Sequence, residues 1–125
     1  MNQKNLFTGI SAVLILQGIA FYFMHEQLAQ QSFPGLAAEG VAAVGAILTV
    51  AGLMSVLIGL VVYATRNYPG VLGAMTLGIS LLTLNTMKHY FIDKLAVPIP
   101  ALVIQLLISL ICIYLLTQKG KSTTS

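Results

Sequence analysis

Charge is what this sequence has least of. Three acidic and six basic residues amount to 7% of its 125 positions, where an ordinary soluble domain carries roughly a quarter. So few charges cannot cover the surface of a water-soluble fold, whereas a bilayer solvates an apolar surface without them. Tryptophan is absent, and cysteine occurs once, as Cys112. A lone cysteine excludes an intrachain disulfide and any paired-cysteine redox motif; in its apolar stretch it reads as a small hydrophobe. The basic residues are scattered as Lys4, Arg66, Lys88, Lys94, Lys119 and Lys121, giving a net charge of +3 but no run or stripe. That pattern excludes a nucleic-acid partner and suits markers of membrane topology.

What the chain has in abundance is apolar length. Hydrophobic residues make up 58% of it and its mean hydropathy is +0.93. Four stretches, at about 6–24, 41–63, 71–87 and 99–116, contain no acidic or basic side chain. Each is near the ~20 residues that cross ~30 Å of hydrocarbon as a helix. The expected fold is all-α: one domain, residues 1–125, forming an integral membrane four-helix up-down bundle with a polar, frayed tail at 118–125. The first stretch is longer than the apolar core of a signal peptide and no small-residue cleavage site follows it, so it reads as an uncleaved span.

The connections fit this plan. Residues 25–40 form the longest, with Phe33-Pro34-Gly35 as a turn signal, and Arg66-Asn67-Tyr68-Pro69-Gly70 forms a tight hairpin. Pro98 and Pro100 suit the opening turn of the last helix, where a missing N–H costs nothing. With four spans, Lys4, Arg66, Lys119 and Lys121 share one side with no acid, while Lys88 and Lys94 share the other with Glu26, Glu39 and Asp93. The positive-inside bias then places both termini in the cytoplasm. Phe21, Tyr22, Phe23, Tyr90 and Phe91 would mark the outer interface, and Phe7, Tyr63, Tyr68 and Tyr114 the inner one.

Small residues indicate where helices approach. Gly45, Gly52 and Gly59 repeat every seven residues, and Gly70, Ala74 and Gly78 every four. Both stripes read as packing seams, and the first is also a candidate homodimer seam. Polar residues within the spans are amides: Gln17 and Gln105, each about 10 Å below the outer end of its helix at ~1.5 Å per residue, and Asn85 near the outer end of the third. His25, Glu39 and His89 stand at that same end. Together Gln17, His25, Glu39, Asn85, His89 and Gln105 form the candidate ligand-binding set, an outer-facing polar pocket if they converge. The bland alternative for the amides is hydrogen bonding between helices, and for Glu39 a carboxylate complementing the helix dipole. Gln105, Ser109 and Cys112 also form a polar stripe on the last helix.

Chemistry beyond binding finds little support. His25, Glu26, His89 and Asp93 are ligand types, but no HExxH or multi-histidine spacing accompanies them, so no metal is expected. No nucleophile elbow or phosphate-cradling glycine loop is present, and no cofactor or catalytic residue is assigned. An intramembrane carboxylate, the usual pointer to proton-coupled transport, is missing as well.

Gly9 and Gly18, the Ala64-Thr65-Arg66-Asn67 hairpin, Lys88-His89 and Pro98-Ile99-Pro100, in this layout of short spans, resemble the DoxX-like small membrane proteins of bacteria. The resemblance covers most of the chain. It implies a four-helix protein of the inner membrane, in some members associated with respiratory or redox partners, and carries over no catalytic residues. Small multidrug-resistance transporters are similar in length and span count, but they need a membrane-embedded glutamate in the first helix, where this chain has Gln17. The expected role is therefore a non-enzymatic accessory subunit of a membrane-protein partner, or a binder of a small lipophilic molecule. A dimeric small-molecule transporter or channel is the alternative, and a lipid-directed enzyme using His89 and Glu39 is the third reading.

Overall fold

A computed structural model describes residues 2–94 and 99–123. Among these residues the regular structure is all helix: α1 (Gln3–Phe23), α2 (His25–Ser32), α3 (Ala38–Ala64), α4 (Val71–Phe91) and α5 (Ile99–Thr123). Four of them, α1, α3, α4 and α5, are long and apolar enough to cross a membrane, which agrees with the all-α reading. Leu16, Ile47, Leu57, Leu84 and Leu107 stand exposed along these helices, an arrangement that hydrocarbon solvates and water does not. Pro98 lies outside the described residues, and Pro100 occupies the opening turn of α5.

Two features differ from expectation. The connection at 25–40 contains a helix, α2, whose eight residues are too few and too polar to announce themselves by periodicity. Its buried Ala29 and part-buried His25 and Leu28 fall at i, i+3 and i+4, one narrow face, and that face packs against α3. A turn with Gly35 in the left-handed region (φ 90°) then leads on towards α3. At the other end of the chain, α5 runs on to Thr123, through residues expected to fray.

The chain divides into two compact units, residues 4–66 and residues 67–125 with 1–3. In the first, α1 and α3 run antiparallel at very close range. A Cβ on Gly52 would lie 2.6 Å from the Gly18 carbonyl oxygen, and one on Gly59 would lie 2.8 Å from Ile15 and 3.1 Å from the Ser11 oxygen. Ser55 donates a hydrogen bond to the Leu14 carbonyl at 2.8 Å. The third glycine of the series, Gly45, lies under the imidazole of His25, with 2.9 Å between a Cβ and the ring carbon. Ser11, Gly18 and His25 are thus a second seven-residue series, opposing Gly59, Gly52 and Gly45 in reverse order. Absent Cβ atoms allow backbone to approach backbone, which is what drives helix association where the solvent is itself apolar.

In the second unit α4 packs on α5. The contact is lined by small polar groups: Ser80 and Ser109 share a hydrogen bond of 3.0 Å, and Thr76 lies beside the buried thiol of Cys112. Thr76 and Thr83 donate to the carbonyls of Leu72 and Ile79 one turn back, so their hydroxyls are satisfied within the helix. Ser80 meets Ser109 and Thr76 meets Cys112, four back against three forward, the pairing of two antiparallel helices. Gln3 also belongs to this unit: its amide donates to the Tyr68 carbonyl at 2.7 Å and accepts from Lys119. By contrast, a Cβ on Gly70 or Gly78 would meet nothing within 4 Å, and Ala74 is exposed.

Candidate functional site

The six candidate residues divide between the units, and each has a local setting. Gln17 is exposed on α1, one residue from the buried Gly18 of the α3-facing series. His25, half-buried, opens α2, and its Nδ1 donates to the Tyr22 carbonyl at 2.8 Å, since a carbonyl can only accept. Glu39 is exposed in the first turn of α3, where a carboxylate meets the positive end of the helix dipole. In the other unit Asn85 is exposed on α4, one turn before His89. Among the described residues none of the six is hydrogen-bonded to another of the six.

His89 has a partner of its own. Its Nδ1 lies 2.7 Å from Asp93 Oδ2, and Lys88 Nζ approaches the same oxygen at 3.5 Å. The hydrogen bond from His89, with the Lys88 charge behind it, holds the Asp93 carboxyl below its ordinary value of 3.8. The three residues close off α4 just before Lys94, which takes the left-handed backbone conformation (φ 54°) that ends the helical path. Tyr90 and Phe91 pack edge to face beside them, centroids 4.9 Å apart. The arrangement fixes one tautomer of His89 and ties the last turn of the helix.

Gln105 is the residue with the most unusual setting. It sits on α5 one turn before Ser109, and its Oε1 is enclosed with no hydrogen-bond partner among the described residues. A buried carbonyl without a donor costs about 1–3 kcal/mol, and ordinary helix–helix hydrogen bonding does not account for it here. The oxygen can only accept, so only an N–H or O–H donor would satisfy it. Elsewhere, an open hollow of about 500 Å³ is lined by Phe23, Met24, His25, Glu26, Gln27 and Gln30. No group of three or more His, Cys, Asp or Glu among the described residues is placed to hold a metal ion.

Four helices long and apolar enough to cross a membrane, with large apolar side chains exposed along them, define a multi-pass membrane protein. No family model, no curated protein and no solved structure matches the chain.

Proposed function

We propose that this chain is a non-enzymatic protein of the bacterial inner membrane, with both termini cytoplasmic, that binds a small lipophilic molecule through Gln105. The observation that carries this reading is the enclosed, unpartnered Oε1 of Gln105. A ligand satisfying it must be apolar enough to enter the hydrocarbon and must present one hydrogen-bond donor. The acid-free side that bears Lys4, Arg66, Lys119 and Lys121 supports the orientation. The resemblance to DoxX-like proteins is in keeping with the membrane assignment, and the association of some members with partners is in keeping with a carrier or accessory role.

The test is native mass spectrometry, with solvent extraction, of protein purified from membranes in a mild detergent. A small lipophilic species is expected to accompany the wild type and to be lost from Gln105→Leu. Wild-type protein that carries nothing, or a variant that carries the same species, contradicts the proposal. A second reading, a dimeric transporter or channel, has the stripe Gly45, Gly52 and Gly59 on α3 as its expected seam, where α1 and His25 already lie. The same spectra report on it, because a strict monomer contradicts it.

A further inference from the structure

The bend between α1 and α2 makes a surface that neither the spans nor the Gln105 acceptor explains. Met24 leaves the helical path (φ −110°, ψ 20°), so the polar helix α2 turns away from the apolar span before it. Its inner face is used against α3, while Glu26, Gln27 and Gln30 remain exposed. These side chains line the 500 Å³ hollow together with Phe23, Met24 and His25, whose Nδ1 is already engaged with the Tyr22 carbonyl. Phe23 is 77% exposed and packs edge to face with Tyr22, centroids 5.3 Å apart, so most of its ring surface stays open.

The chemistry of the lining narrows the occupant. Each glutamine amide both donates and accepts, and Gln27 and Gln30 lie one turn apart on the same side of the helix. No lysine or arginine lines the hollow, and Glu26 already opposes the positive end of α2. An anionic phosphate headgroup is therefore disfavoured. An ammonium group would use Glu26 and the aromatic face but leave the amide donors unused. A polyhydroxylated ring uses all of these, placing hydroxyls against Gln27, Gln30 and Glu26 and its apolar face against an aromatic ring. Tyr22 and Phe23 belong to the aromatic end of a membrane span, the level at which lipid headgroups lie.

We infer that this hollow binds the uncharged sugar headgroup of a membrane glycolipid. The inference is independent of Gln105, which lies in the other unit. The test uses the full chain in nanodiscs, prepared in a detergent without a sugar headgroup. The discs contain equal amounts of a neutral diglycosyl diacylglycerol, phosphatidylcholine and phosphatidylglycerol, and lipids retained on ejection are counted by native mass spectrometry. The glycolipid is expected to be retained preferentially. Gln27→Leu combined with Gln30→Leu should reduce that preference roughly tenfold, because two hydrogen-bonding groups are lost. Gln31→Leu, on the same helix but outside the lining, should leave it unchanged, and helix content should be equal in all three. Equal retention of the three lipids, preference for phosphatidylcholine, or full retention by the double variant would overturn the inference. So would a free disaccharide that competes as well as the glycolipid at equal concentration, because the source would then be solution.

Discussion

Gly52→Ala is expected to lower the unfolding free energy of the protein in detergent by about 1–3 kcal/mol, the usual cost of overpacking a filled interior. A new Cβ at this position would stand 2.6 Å from the Gly18 carbonyl oxygen and about as close to the backbone nitrogen of Tyr22, at 3.0 Å. Both obstacles are main chain of a neighbouring helix, so no rotamer change relieves them. The two helices must separate, and separation also stretches the 2.8 Å hydrogen bond from Ser55 to Leu14. Gly78→Ala is the matched control, since its Cβ meets open space and alanine is the better helix former by roughly 0.8–1.0 kcal/mol. It should be neutral or slightly stabilising. Reversible unfolding monitored by circular dichroism distinguishes the two, and equal midpoints for both variants would remove the seam as a source of stability.

Gln105→Leu should move stability in the opposite direction. Leucine is close in volume to glutamine and has no acceptor to bury. The variant escapes the penalty of the enclosed Oε1, a gain of about 1–3 kcal/mol in ligand-free protein. If a native ligand occupies the acceptor, that ligand stabilises the wild type by mass action, and the gain appears only after the ligand has been stripped. Unfolding before and after delipidation therefore separates the two contributions. A variant less stable than stripped wild type would mean that the amide has a structural partner after all.

These outcomes also mark how far residues alone lead. The spans followed from 1-D information: uncharged runs of the right length, punctuated by Pro, Gly and charge. The stripe Gly45, Gly52 and Gly59 was visible for the same reason, as a period within one helix. Its counterpart, Ser11, Gly18 and His25, mixes three residue types and crosses the break at Met24, so it has meaning only once α1 and α3 are paired antiparallel. Equal periodicity did not mean equal use: Gly70, Ala74 and Gly78 repeat as regularly, yet their face stays open while α4 meets α5 through Thr76 and Ser80. In the sequence His25 is a polar residue at the outer end of the first span, and the structure gives it a packing task over Gly45. For Gln105 the amide was evident, but its lack of a donor depends on three-dimensional surroundings that no spacing reveals. His89 and Asp93 stand out in the sequence only as metal-ligand types, and the structure pairs them with each other instead.

The claim on which everything else depends is that α1, α3, α4 and α5 each cross the membrane. It is tested most directly by labelling single cysteines in intact cells with a membrane-impermeant maleimide, in a Cys112→Ser background. Cysteines at Gln31 and Lys94 should be labelled from outside, and those at Asn67 and Lys121 only after the membrane is opened. Labelling of Gln31 and Asn67 from the same side would mean that α3 does not span, and would contradict the account.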